Sequence, residues 1–172
     1  MDKVNFNIRT ITKDELPLVR EIAYHTWPMS YKDMISDDQI RYMLDKMYND
    51  DALRLQMALE KATFFLLSIE SENVGFASCG PSSNQEVFKL HKLYVLPHLQ
   101  KSGVGSQLLN CCLDFARLNG AKEIFLQVNR SNSAIDFYCK HGFIIDREEK
   151  FDIGNGFVMD DYIMKFSWTN KG

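Results

Sequence analysis

Val4, Phe6 and Ile8 alternate with Asn5, Asn7 and Arg9, the period of two expected of a strand with one buried face, so the chain opens with a strand. After Thr12 the period changes. Leu16, Val19, Ile22 and Ala23 recur at helical spacing, and Thr12 with Glu15 three residues on reads as a capping box at the start of that helix. Pro28, within Trp27-Pro28-Met29-Ser30-Tyr31, is expected to break the helix, because proline disfavours helical geometry in the residue before it. A loop carrying two aromatic rings should follow. Ser36 then heads a second helix with Ile40, Met43, Leu44 and Met47, and after Asn49-Asp50-Asp51 a third helical stretch carries Leu53, Leu55, Met57 and Leu59.

From Thr63 the pattern becomes that of strands. Phe64–Ile69 and Val74–Gly80, joined by Glu70-Ser71-Glu72-Asn73, read as a hairpin, and Glu86–Leu96 as a further strand stopped by Pro97. A helix from about Gly103 to Asn119 buries Val104, Leu108, Cys112, Phe115 and Ala116, and Gly120 ends it. The strand Glu123–Asn129 follows, then a short helix through Ala134, Ile135, Phe137 and Tyr138, capped by Ser131 or Asn132 and closed by Gly142. Phe143-Ile144-Ile145 leads into one strand and Phe157–Phe166 forms the last, with Ile153-Gly154-Asn155-Gly156 as the turn between them. Strands run together in the middle and alternate with helices later, which predicts an α/β fold with a mixed sheet and helices on both faces.

Length and composition narrow the picture. The 172 residues suit one domain, 1–172, with a core that needs neither metal nor disulfides. A net charge of −3 gives no electrostatic reason to expect nucleic acid or a membrane surface as partner. Cys79, Cys111, Cys112 and Cys139 show neither CxxC spacing nor a zinc pattern with the four histidines, so no metal is expected. No export signal or membrane span is visible near the N-terminus, and with unpaired cysteines the expected location is cytoplasmic.

The chemistry centres on Gln100-Lys101-Ser102-Gly103-Val104-Gly105, between the strand ending near Val95 and the helix that follows. Glycines let backbone approach a phosphate, and a helix start offers unpaired N–H groups and the positive end of its dipole. A P-loop would need a GK[ST] ending that is missing here, and a dinucleotide fingerprint would need glycine at position 108, which is leucine.

In Leu93-Tyr94-Val95-Leu96-Pro97 followed by Gln100xxGly103xGly105, the chain resembles the GNAT superfamily of acyl-CoA-dependent N-acetyltransferases. Asn132-Ser133-Ala134-Ile135-Asp136-Phe137-Tyr138-Cys139-Lys140-His141-Gly142-Phe143 resembles the second signature of that family, NxxAxxFYxKxGF. The resemblance implies a mixed six- or seven-stranded sheet splayed between the strands ending at Val95 and Asn129, with acetyl-CoA in the cleft. It implies that Leu93, Tyr94 and Val95 pair with the pantetheine arm, that Gln100, Lys101, Ser102, Gly103, Val104, Gly105 and Ser106 wrap the pyrophosphate, and that Asn132 contacts the cofactor arm. By the same resemblance Tyr138 is the general acid, its phenol carrying a proton at neutral pH.

The base stays open. Lys89 stands where many members of the family carry glutamate, and His91, two residues on and expected on the same strand face, is one candidate beside a water chain or an amine delivered neutral. For the acceptor side, Trp27 and Tyr31, with Asp160 among Asp152, Asp160 and Asp161, are the candidates; the carboxylates could attract a cationic amine or be solvated surface charges. The Trp27–Met47 region and the Gly156–Tyr162 segment look like bacterial relatives of polyamine acetyltransferases. The expected partner is therefore a small-molecule amine such as a polyamine, ahead of a peptide amine, and a homodimer is one assembly the sequence leaves open. A non-catalytic acyl-CoA-binding module and a nucleotide enzyme are the competing functions.

Overall fold

The computed structural model describes residues 5–168, so Val4 of the expected first strand lies outside them. The strands are β1 (Phe6–Thr10), β2 (Thr63–Ile69), β3 (Glu72–Pro81), β4 (Val87–Val95), β5 (Glu123–Asn129), β6 (Ile144–Gly154) and β7 (Phe157–Ser167). The helices are α1 (Leu16–Tyr31), α2 (Asp37–Met47), α3 (Asp50–Ala58), α4 (Val104–Leu118) and α5 (Ala134–Lys140). One seven-stranded sheet runs in the order β1-β2-β3-β4-β5-β7-β6, and β4 with β5 is its parallel pair. The mixed α/β sheet with helices on both faces is thus as expected. On one face Leu108, Leu109, Cys112 and Ala116 of α4 pack against β3, β4 and β5; on the other, Val19, Trp27, Met43 and Leu53 of α1–α3 cover Phe64, Leu66 and Phe76.

The helix starts follow from side-chain oxygens in the sequence. Glu15 accepts the Thr12 N–H at 3.0 Å before α1 begins, Ser36 Oγ accepts from Gln39 N at 3.1 Å, and Asn49 Oδ1 accepts from Ala52 N at 2.8 Å. In α3 only Leu53 is buried; Leu55 and Leu59 face solvent.

One expectation is overturned at Pro28. α1 does not stop there but continues to Tyr31, with proline inside the helix. Proline removes the hydrogen bond to the carbonyl four residues back, that of Tyr24, and both Tyr24 and Pro28 lie on the exposed face, where water can take that carbonyl. The opposite face is tightly held: Trp27 is buried, its ring 4.7 Å from Tyr31 and 5.6 Å from Tyr94. Tertiary packing of these rings outweighs the local preference, and the two aromatics expected on a loop sit on one rigid helical turn.

A second irregularity lies in β4. Ser78 of β3 pairs with Lys92 but Cys79 pairs with Leu90, so His91 is an extra, bulged residue. Before the bulge Phe88 and Leu90 point to the α4 core; after it Leu93 and Val95 do. The bulge therefore moves Lys92 and Tyr94 to the face of the sheet that carries Lys89.

Candidate active site

β4 and β5 pair only over Val87–Lys89 with Glu123–Phe125 and then part. Beyond Lys89 the β4 backbone has β3 on one side and an open cleft on the other. Leu96 donates its N–H to Val74 on the β3 side, 2.9 Å away, so by the alternation of strand amides the N–H groups of Val95 and Leu93 point into the cleft. These are free donors in the place expected for the pantetheine arm and a thioester oxygen.

The loop after β4 makes one tight turn at Pro97–Leu99 and then enters left-handed backbone at Lys101 (φ 64°) and Gly103 (φ 90°) before α4 begins. Ser102 is pinned by its hydroxyl and its N–H to the Leu99 carbonyl, and Gln100 Nε2 donates to the Val95 carbonyl at 3.4 Å. The N–H groups of Gly103, Val104, Gly105 and Ser106 find no acceptor among the described residues, which leaves an anion cradle at a helix start. A Cβ on Gly105 would stand 3.6 Å from Phe137 of α5, so the glycine loop and the Asn132–Phe143 segment meet in space. Pyrophosphate fits this cradle. A Cβ on Gly103 would meet nothing within 4 Å, but φ 90° strains any other residue. Gly103→Ala should therefore fold normally and raise the KM for acetyl-CoA on the order of tenfold, matching about 1–2 kcal/mol of backbone strain, with kcat nearly unchanged in steady-state assays.

At the mouth of the cleft lies a cavity of about 270 Å³, near the lower end of ligand pockets, which run from roughly 300 to 1,000 Å³. Trp27, Tyr31, Tyr94, Asn132, Tyr138 and His91 all line it. Asn132 Oδ1 accepts from Ala134 N at 2.8 Å and so fixes the start of α5. Tyr138 is buried, edge-on to Phe137 and Phe143, and burial with Tyr31 and Cys112 nearby holds its phenol well above the ordinary tyrosine pKa. It keeps its proton through any working pH. The hydroxyls of Tyr31 and Tyr94 share a hydrogen bond of 2.9 Å at the cavity wall.

The other expected residues are redistributed. Asp160 points away from the cavity and pairs with Arg130 at 3.1 Å, and Asp152 accepts the Gly154 N–H, shaping the hairpin turn. Strand alternation brings Asp161 to the cavity side instead, with Met159 and Ile163. Asp161 is fully buried, neither of its oxygens has a hydrogen-bond partner among the described residues, and burial with the Asp160 charge pushes its pKa to about 6 against the pull of Lys89. His91 Nδ1 lies 3.6 Å from Glu60, yet burial, then the charges of Lys89 and Lys92, hold the imidazole down at about 3. It is neutral at pH 7 and a weak proton acceptor.

Lys92 is the residue that sequence reasoning missed. It lines the cavity, is only 4% exposed, and lies over the Tyr48 ring at 4.5 Å. Unbroken alternation would have turned it toward α4. Lys89, also in the cavity wall, donates to Gln127 Oε1 at 2.9 Å, and burial lowers its pKa although Glu60 and Asp161 oppose the shift.

A sheet parted beside an amide-lined helix start, with a protonated phenol in the cleft, can receive an extended ligand that ends in a pyrophosphate. Residues 31–165 match the family model described as an acetyltransferase (GNAT) domain, and the chain belongs to that family of N-acetyltransferases. A spermidine N(1)-acetyltransferase from Thermoplasma acidophilum is 24% identical over 162 residues, covering 91% of this chain and 97% of that protein. An N-acetyltransferase of uncharacterised role from Methanocaldococcus jannaschii is 26% identical over 144 residues; the match takes in 80% of this chain and 60% of that longer protein. The crystal structure of the PaiA N-acetyltransferase from T. acidophilum in complex with coenzyme A superposes with a TM-score of 0.79 at 25% identity, over 95% of this chain and 99% of that one. Among the described residues no helix is long and apolar enough to cross a membrane.

Proposed function

We propose that the protein, as a single domain over 1–172, transfers the acetyl group of acetyl-CoA to the primary amine of a small molecule. The observation that carries this reading is the continuity of the parted β4–β5 edge, the free amides of Gly103–Ser106 and the 270 Å³ cavity at Tyr138. Acetyl-CoA brings the reactive thioester: a C–N bond forms with the acceptor, and the C–S bond breaks.

The chain supplies placement and charge. Gly103, Val104, Gly105 and Ser106 hold pyrophosphate through their N–H groups, with Gln100, Lys101 and Ser102 shaping the loop; Leu93, Tyr94 and Val95 give the strand edge for the pantetheine arm, and Asn132 sets the start of α5 beside it. The Val95 N–H donates to the carbonyl oxygen as charge develops there. Tyr138 gives its proton to the departing sulfur and regains one from water. His91, held near 3, is too weak to take the proton of an ammonium. Water takes it instead, and the two lysine charges disfavour the protonated amine and so help its loss.

Trp27, Tyr31 and Tyr94 wall the acceptor side and Glu60 is the carboxylate in its lining, with Asp161 rather than Asp160 on that side of the sheet. The small, half-closed cavity favours a small amine over a protein amino group. The Thermoplasma relative, by its name, favours a polyamine; the buried lysines weigh against one. Thiol release from acetyl-CoA across a panel of amines that includes spermidine and lysine peptides tests the reading. Release with small amines and little with peptides is expected; tight CoA binding without release across the whole panel would instead favour a non-catalytic binding module.

A further inference from the structure

Among the described residues, Lys92 has no carboxylate within 4 Å and no hydrogen-bond acceptor for its ammonium, although it is 4% exposed. A buried ammonium usually has an anionic partner, because desolvating the charge is costly. Here the protein offers it the face of Tyr48 and, from beyond 4 Å, the charge of Glu60. Burial brings its pKa to about 8, still above neutrality, so the charged form prevails at pH 7. Lys89 adds a second cation to the same wall, with one N–H given to Gln127.

Both lysines line the cavity that Tyr138 also lines, on the acceptor side near Trp27 and Tyr48 rather than at the glycine loop where phosphate is held. Negative charge is present as well: Glu60 lines the same cavity, 3.6 Å from His91, and its charge favours the protonated form of both lysines, while Asp161 is buried on β7. A ligand that brings only positive charge would meet two ammonium groups against the one carboxylate of Glu60 in the cavity wall. One that brings an amine and an anion together would satisfy the lysines with its anion and leave the amine for Glu60 and the thioester.

We propose that the acceptor is a small amine that also carries a carboxylate, received by Lys92 with Lys89 beside it at the inner wall of the cavity. This rests on the acetyl-transfer reading and names the class of acceptor within it. Ile35, Met43, Met47 and Met159 line the same cavity and offer apolar surface to the rest of such a molecule, as an amino acid with an apolar side chain would need.

The test uses matched pairs differing only in the carboxylate: L-leucine with isoamylamine, L-phenylalanine with phenethylamine and L-lysine with cadaverine, with spermidine beside them. Thiol release from acetyl-CoA is measured for each, and, independently, the shift in melting temperature of the CoA-saturated protein. The carboxylated member of at least one pair should be preferred by about tenfold or more in kcat/KM and should raise the melting temperature, on the scale of a hydrogen bond to a charged group. Lys92→Met should abolish that preference, the KM of the carboxylated member rising to that of its decarboxylated partner measured in the same variant; Lys89→Gln should weaken it and serves if the first variant does not fold.

Release that is equal within every pair, or best with spermidine, would overturn the carboxylate proposal and leave acetyl transfer standing. A melting shift with the amino acids, lost in Lys92→Met but with no thiol release from any amine, would support the anion site and count against transfer. Neither release nor a shift with any compound would overturn both.

Discussion

In the Tyr138→Phe protein, turnover falls by about two orders of magnitude, the scale of a lost general acid, while affinity for acetyl-CoA stays near that of the unaltered protein. The asymmetry follows from where the ring sits. Tyr138 packs edge-on to Phe137 and Phe143 at centroid distances of 5.3 and 5.6 Å, and phenylalanine keeps both contacts. The hydroxyl makes no hydrogen bond to another of the described residues, so its removal leaves no protein group unpaired and should change stability little. What is lost is a proton donor. Since burial raises the phenol's pKa further above its ordinary value, the donor holds its proton at every pH up to the alkaline limit of the protein. The variant should accordingly show reduced kcat over the whole neutral range rather than a displaced pH optimum. Pre-steady-state thiol release with a saturating amine separates this from slow product departure. Turnover within about threefold of the unaltered protein would remove Tyr138 from the reaction, and weakened CoA binding would recast it as part of the cofactor wall.

The parts of this site that were legible in the sequence are those whose chemistry is local. Gly103 announces left-handed backbone because few other residues tolerate it, and the run of amides that follows is a property of any helix start. Glu123–Asn129 shows its period without interruption, and Asn132 to Phe143 is one continuous signature. What escaped reading depends on contacts far apart in sequence. Pro28 looks like a helix end until the Trp27 and Tyr31 rings are seen against Tyr94, more than sixty residues on. The bulge at His91 is fixed by how β4 lies along β3, and nothing in His91-Lys92-Leu93 marks it; yet it is what turns Lys92 toward the cavity. Asp160 and Asp161 are adjacent in a strand with apolar residues on both faces, so alternation alone could not say which of them the cleft side receives. The structure pairs Asp160 with Arg130 and gives Asp161 no hydrogen-bond partner among the described residues.

That solitary carboxylate gives the second large effect. Asp161→Asn is expected to stabilise the free protein at pH 7 by about 1–2 kcal/mol, and to do so less and less as the pH is lowered toward 4. The folded pKa of about 6 lies above the ordinary 3.8, so the folded state holds the Asp161 proton more tightly than the unfolded chain does. The stability contributed by protonation is therefore complete below about 3.8 and is lost as the pH rises through 6, leaving the ionised group a net cost at neutrality. The rise from 3.8 to about 6 sets a ceiling of roughly 3 kcal/mol on that cost. Partial screening so close to the cavity, together with the opposing charge of Lys89, brings the expected gain below that ceiling. Asparagine matches the carboxylate in size and removes the charge without opening a cavity, so the gain should appear as a higher urea midpoint at pH 7 and a coincident one near pH 4. The same change withdraws a negative charge that acts on Lys89 in the cavity wall. Lys89 then keeps only Glu60 of the two carboxylates that favour its charge, and a cationic amine loses part of its attraction to this side of the sheet, so kcat/KM for the amine should drop several-fold as stability rises. An equal midpoint shift at both pH values would mean that the carboxylate is not the strained group, and a gain in stability with no loss of amine activity would leave Asp161 outside acceptor binding.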